Sequence, residues 1–353
     1  MKRKGPSSRN SIAPTHRAVR MRDVADRAGV GIMTVSRVLS GSAHVTDETS
    51  ARVHRALKEL DYQPNLMASA LRGHRSRSIG VIVPYLYDPF FASCAHAVSE
   101  IAKQHAYSVL LATSDESTAT ETEAARDLLR RQVEGIIVIP AANGRSHLHD
   151  HEFHSTPMVA IDRPIPHSHF DRVLVENQHG AAIATEHLIQ HGHKRMCFIG
   201  LSQKIYTMHA RLAGYMKTMN AARLKPECFF GAAGEAATLD FLRTALAHRY
   251  SPTAIFAANG LAARHVLHAA AALAIRIPEQ LAFIGFDDFY LAGILRPALT
   301  VVRQPVQRAG EEAAQLLFNR LNGGANLPMQ KRNLPVELIV RRSCGCQPAS
   351  FTS

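Results

Sequence analysis

The chain has 353 residues and carries 41 Lys and Arg against 29 Asp and Glu, a formal charge of +12. That length exceeds one small binding module and predicts two or three domains. No run of about 18 apolar residues is present to span a bilayer, and residues 1–20 lack the apolar core of a secretory signal. Five cysteines do not make a disulfide framework in a chain this long, so the expected location is a reducing cytoplasm, on the nucleoid.

The charge is uneven. Residues 1–78 hold 15 basic and 6 acidic side chains, a surplus of +9, whereas the other 275 hold 26 against 23, a surplus of +3. A basic first module joined to a nearly neutral remainder predicts a polyanionic partner for the first part alone. Residues 1–19, polar and rich in Ser, Arg and Pro, are read as a disordered basic arm.

Met21 to Leu39 reads as two short helices meeting at Gly29. Val24, Ala25 and Ala28 share a face of the first, and Val35, Val38 and Leu39 a face of the second. Small residues Ala25 and Gly29 are expected to let the helices approach closely. This is the pattern of a helix-turn-helix whose second helix is free to enter a major groove. Thr46 is an expected N-cap for a third helix, with Asp47 and Glu48 in the first turn where the helix dipole favours negative charge. Val53, Ala56, Leu57 and Leu60 form that helix's apolar face. After Pro64, a stretch of about two turns from Leu66 to Arg72 is too short to be helical alone in water and needs something to hold it.

From Ser78, continuous apolar runs alternate with amphipathic helices, which predicts buried parallel strands in βαβ units. The expected strands are Ile79–Val83, Tyr107–Ala112, Gly135–Ile139, Met158–Ile161, Met196–Ile199, Ala254–Ala257, Ala282–Gly285 and Glu337–Val340. The expected helices are Phe90–Gln104, about Thr120–Arg131, His209–Asn220, one running through Ala274, and Val306–Asn322. That is enough for two doubly wound lobes, whose ligands bind at the carboxyl ends of the strands. The polar residues there are Asp162, Arg211, Asn259 and the pair Asp287–Asp288.

Together DVADRAGV, TVSRVLSG, YQPN and the leucine of ASAL resemble the LacI/GalR family of bacterial repressors, over about Met21 to Cys346. The resemblance implies a small all-α helix-turn-helix domain plus an α/β two-lobed domain like the type I periplasmic binding proteins, with doubly wound parallel sheets. The implied layout is an arm (1–19), a DNA-binding domain (20–64), a hinge (65–77), an effector-binding and dimerisation domain (78–343) and a tail (344–353). Its first lobe would take about 78–178 and 304–330, and its second about 179–303 and 331–343. The implied partners are a double-stranded DNA operator, a small-molecule effector (sugar, sugar acid or sugar phosphate) and a second copy of the chain. A membrane and a cofactor are not implied.

Carried over residue by residue, Ile32, Met33 and Arg37 would read bases, with Arg37 suited to guanine O6 and N7. Thr34, Ser36 and Ser40 would hold phosphates. Asn65 would cap a hinge helix carrying Ala68 and Leu71 into the minor groove, where Leu71 wedges between base pairs. Phe90, Phe91, Asp162, Arg211, Asn259 and Asp287 would contact the effector. Two positions depart from the family pattern. Gly31 stands where relatives often place a capping Ser or Thr, and Gly260 stands where an Asp commonly follows the Asn. The second departure, with Arg211 and Arg163, predicts a less acidic pocket and points to a sugar acid or phosphorylated sugar.

No metal site is expected. Cys344-Gly-Cys346 lacks a second ligand pair at zinc-finger spacing, and His147, His149, His151 and His154 read as solvated loop residues. An enzyme is disfavoured, since the chain has no GxSxG elbow, Walker loop or HExxH. A secreted sugar-binding protein would need no basic module. The remaining alternatives are a constitutive DNA binder with a degraded pocket and a co-repressed, purine-type regulator.

Overall fold

In the computed structural model, the described residues are 19–39, 44–62, 76–141, 147–148, 150–165, 168–231, 234–323 and 327–346, and they fall into two units divided after Ser76. No helix among them is long and apolar enough to cross a membrane.

The first unit is three helices, α1 (Met21–Ala28), α2 (Ile32–Leu39) and α3 (Asp47–Glu59). Val24, Ala25, Ala28, Val35, Val38, Val53 and Ala56 are buried together at its centre. Gly29 ends α1 in the left-handed conformation, φ +64°, which a glycine adopts without steric penalty. A Cβ there would meet nothing within 4 Å. Gly29 thus serves backbone geometry, and the close approach expected of it is not its role. Thr46 caps α3 by accepting the Thr49 N–H at 3.4 Å, and Arg27 pairs with Glu59 to tie α1 to α3.

The second unit contains two six-stranded sheets. The first is built from β1 (Ser78–Val83), β2 (Ser108–Thr113), β3 (Ile136–Val138), β4 (Met158–Ile161), β5 (Asp171–Val175) and β11 (Lys331–Leu334), in the order β11-β5-β4-β3-β1-β2. Every neighbouring pair in it is parallel. The second contains β6 (Met196–Gly200), β7 (Glu227–Phe230), β8 (Ala254–Ala257), β9 (Ala282–Phe286), β10 (Thr300–Arg303) and β12 (Glu337–Ile339), in the order β12-β10-β9-β8-β6-β7. Only the β10–β12 pair is antiparallel.

The helices are α4 (Pro89–Gln104), α5 (Thr118–Arg130), α6 (Asn177–Gln190), α7 (Tyr206–Ala221), α8 (Glu235–Ala247), α9 (Gly260–Ala272) and α10 (Val306–Leu321). With both faces covered, the central strands are fully buried, which explains their unbroken apolar runs. Three chain segments cross between the sheets, after β5, after β10 and after β11.

The expected lobe boundary at 331 is corrected by β11. Lys331–Leu334 pairs with β5 and so belongs to the first sheet, with the last crossing at residues 335–336. Its sequence, KRNL, is mostly exposed edge strand, so it carries no apolar run to announce it. The same holds for β7, whose first residues are exposed. The helix α6 was also absent from the expected elements. It packs on α7 closely enough that a Cβ at Gly214 would lie 2.1 Å from the Gln178 carbonyl.

Candidate effector cleft and DNA-reading helix

On α2 the structure separates the expected reading residues by exposure. Ile32 is 44% and Met33 68% exposed; Arg37 is also exposed, while Thr34 and Ser36 are half-buried. The Gly31 carbonyl accepts the amides of Thr34 and Val35 and so starts the helix without a side-chain cap. Ser40, Asn65, Ala68 and Leu71 lie outside the described residues.

In the second unit, the carboxyl ends of β1, β4, β8 and β9 bring together three acids. Asp88 caps α4, accepting the Phe90 amide at 2.9 Å, ahead of Pro89 at the first helical position. Asp162 follows β4 and Asp287 follows β9, both in the left-handed region with φ of 68° and 86°. Non-glycine residues rarely adopt that region, and Asp tolerates it better than most. Such strain clusters at functional sites.

These acids lie close enough to act on one another's charge. Burial, and then the field of Asp287 with a smaller one from Asp162, pushes the Asp88 carboxyl up from 3.8 to about 6, against the Phe90 hydrogen bond and Arg264. Burial also raises Asp162, opposed by Arg163 and Arg211 and reinforced by Asp287. Charges on opposite lobes therefore act on one another.

Arg211 is buried, 2% exposed. It lies in the second turn of α7, which begins five residues earlier at Tyr206 and so three residues before the expected start at His209. Its Nε donates to Asn177 Oδ1 at 2.7 Å and its Nη1 to the Ala258 carbonyl at 2.7 Å. The guanidinium lies 3.6 Å from the Phe286 ring centroid, a cation–π contact. Asn259 uses its Oδ1 to cap α9 through the Ala262 amide at 3.0 Å. Phe91 is buried in the first lobe's core, with half-buried Phe90 packed edge-on against it at 5.5 Å. Of the two rings, Phe90 is thus the more exposed.

Two further residues bear on the charge of the pocket. Arg163 forms a bidentate pair with Glu116 at 2.7 and 2.8 Å and also donates to the Pro140 carbonyl at 3.0 Å. Its Nε also lies 3.3 Å from Asp162 Oδ2, so the guanidinium is shared between the two carboxylates. Gly260 brings no carboxylate of its own, and its amide donates to Asp287 Oδ2 at 2.9 Å, so it supports the neighbouring acid. The cleft thus holds three carboxyls, Asp88, Asp162 and Asp287, and two buried arginines, Arg163 and Arg211.

Not every acid there is satisfied. Asp287 accepts from Gly260 and from the Nε2 of Gln304, at the second crossing between the lobes. Asp288 turns away from the cleft to bind Arg303 and Arg341. In contrast, Asp162 Oδ1 and Gln304 Oε1 are buried acceptors without a hydrogen-bond partner. Such orphans are rare in native folds and ask for a ligand or ordered water. Asp88, Asn177 and Gln304 were missed by the sequence reading; the Asp-Pro step before an apolar helix marked the first, and nothing local marked the others.

A separate surface groove of about 760 Å³ runs along α6 and α7 beside β11. Of the cleft residues above, only Asn177 lines it, and the orphaned acceptors do not.

Comparison with known proteins gives a consistent picture. Residues 20–65 match the profile of bacterial regulatory proteins of the lacI family, and residues 185–344 that of the periplasmic binding protein-like domain. The HTH-type transcriptional repressor PurR of Pasteurella multocida (strain Pm70) is 32% identical over 330 residues, covering 92% of this chain and 98% of the relative. The ribose operon repressor of Halalkalibacterium halodurans is 30% identical, covering 92% and 96%. Among solved structures, the lac repressor dimer bound to operator and the anti-inducer ONPF aligns with a TM-score of 0.80 at 25% identity, covering 93% of this chain and 99% of that one.

Proposed function

Because the chain belongs to the lacI family of bacterial regulatory proteins, and is thus a DNA-binding transcription regulator and not an enzyme, we propose that it is a dimeric repressor released or tightened by a neutral, hydroxyl-rich effector. Each subunit reads one half of a pseudo-palindromic operator, since two-fold protein symmetry calls for two-fold DNA symmetry. Ile32, Met33 and Arg37 meet base edges, Thr34, Ser36 and Ser40 hold phosphates, and Asn65, Ala68 and Leu71 form the minor-groove hinge.

The effector's chemistry rests on one observation, the buried Asp162 Oδ1 without a donor. With Gln304 Oε1 it presents acceptors, so the ligand must bring donors, as sugar hydroxyls do. Three mutually repelling carboxyls disfavour a phosphate or carboxylate on the ligand, which sets the sugar-acid and sugar-phosphate readings behind a neutral sugar. Arg211, fixed by Asn177 and Ala258, adds one donor for a ring or hydroxyl oxygen. Effector binding couples to DNA only through differential affinity for two lobe arrangements, typically about 1–3 kcal/mol.

Thermal-shift titration with matched pairs of neutral sugars, their acids and their phosphates tests the ligand class. A shift for a neutral member, lost in Asp162→Asn, is the expected result; a shift confined to the anionic members overturns it. Sequencing the DNA fragments that the protein retains in cells supplies the operator. On that operator, Leu71→Ala should weaken binding and leave effector affinity of the DNA-free protein unchanged.

A further inference from the structure

The C-terminal Cys344-Gly-Cys346 turn lies beyond the effector cleft's chemistry, and the fold places it against α6. Gly345 has φ +84°, a conformation that reverses the chain so that both cysteine sulfurs face the same histidine. His187 Nε2 lies 3.3 Å from Cys344 Sγ and 3.1 Å from Cys346 Sγ. Thr300 on β10 donates to Cys344 Sγ at 3.2 Å. Among the described residues, this is the group of His, Cys, Asp and Glu side chains whose donor atoms converge within 4.8 Å.

We propose that His187, Cys344 and Cys346 form a binding site for a thiophilic metal ion, Zn²⁺ or a similar soft cation, that clamps the C-terminal segment to the end of α6. Two thiolates and one imidazole suit such an ion and not magnesium or calcium. A tetrahedral zinc with bonds of about 2.3 Å to sulfur and about 2.0 Å to nitrogen separates neighbouring donors by roughly 3.5–3.8 Å. The observed sulfur–nitrogen spacings are slightly shorter, so a small outward movement of the side chains seats the ion. The fourth position falls to water. The Thr300 hydroxyl orients one sulfur as outer-shell partners of metal ligands do. The thiol protons leave to solvent on binding.

Geometry here is not that of a solvated thiol pair. Cys344 is 1% exposed, and α6 and the chain after β12 are 157 residues apart in sequence at this contact. A metal bond there would fix the chain's last described residues to the helix whose first residue, Asn177, holds Arg211.

The full-length protein, reduced with a phosphine and stripped of metal, is titrated with Co²⁺. The expected result is one ion per chain, with thiolate-to-cobalt charge transfer in the near ultraviolet and tetrahedral bands in the visible, both removed by Zn²⁺. Cys346→Ser and His187→Gln should each lose these bands, and Cys228→Ser, an exposed thiol elsewhere, should keep them. Zn²⁺ should also raise the melting temperature of wild type but not of Cys346→Ser. Absence of the bands in wild type, their persistence in both ligand variants, or their loss in Cys228→Ser overturns the site. Circular dichroism identifies a misfolded variant, in which case the other ligand variant decides.

Discussion

Asp162 and Asp287 occupy equivalent places in the two lobes. Each follows the strand third from the β11 or β12 edge of its sheet, each has a left-handed backbone, and each amide donates at 2.9 Å to a carbonyl of the neighbouring strand, Val173 for one and Val302 for the other. Their side chains differ: Asp287 is held by Gly260 and Gln304, whereas Asp162 keeps one oxygen unpaired.

That asymmetry predicts opposite phenotypes. Asp287→Ala leaves the Gly260 amide and the Gln304 side chain without an acceptor, which costs about 1–3 kcal/mol of stability per unsatisfied group. Asp162→Asn removes a charge that burial disfavours and, though it gives up the 3.3 Å contact with Arg163, leaves that arginine its bidentate Glu116 partner, so it should cost less stability than Asp287→Ala while effector binding is lost. Urea melts and ligand titrations of the two variants separate the roles; equal destabilisation would refute the distinction.

Asp88 predicts a pH signature. Its carboxyl pKa is raised from 3.8 to about 6 in the folded state, so the native protein holds this proton more tightly than the unfolded chain. The group therefore favours the fold at low pH, and its contribution is lost as pH rises from about 4 through about 6. Asp88→Asn keeps an N-cap acceptor for Phe90 and removes the titration. Relative to wild type, the variant should gain stability as pH increases across that window, measured by melting temperature. A constant difference across the window would count against it.

Arg37 is the base-reading side chain with a directional fork. Its replacement by Ala should reduce discrimination at one base pair of each half-site by about 1–3 kcal/mol. Affinity for unrelated DNA should fall much less, and binding of both proteins should weaken steeply with salt. Fluorescence anisotropy on the cell-derived operator and its single-base variants reads both effects. Uniform weakening on all sequences would make Arg37 a phosphate contact instead.

Gly214 sits where α7 meets α6. A methyl group there would lie 2.1 Å from the Gln178 carbonyl, a backbone atom that cannot rotate away. Gly214→Ala should lose about 1–3 kcal/mol or more, seen as a lower denaturation midpoint with unchanged operator specificity. A neutral result would refute a tight α6–α7 contact at this position.

Periodicity and local chemistry determined much of this protein from sequence alone. The helix-turn-helix, the buried strands and the strand-end acids were legible because each depends on neighbours a few residues apart: apolar spacing, Thr46 as a cap, Asp162 after Ile161. The polar edge strand β11 was not legible, because an exposed strand is defined by its partner β5 and not by an apolar run. The share of Arg163's charge left to the pocket was not legible either. Folding brings Glu116, 47 residues away, into a bidentate pair with it while its Nε stays 3.3 Å from Asp162. Cys344-Gly-Cys346 looked incomplete until His187 arrived from α6. Contacts between residues far apart in sequence leave no local periodic trace, so only the tertiary structure could decide which charges are spent and which donors converge.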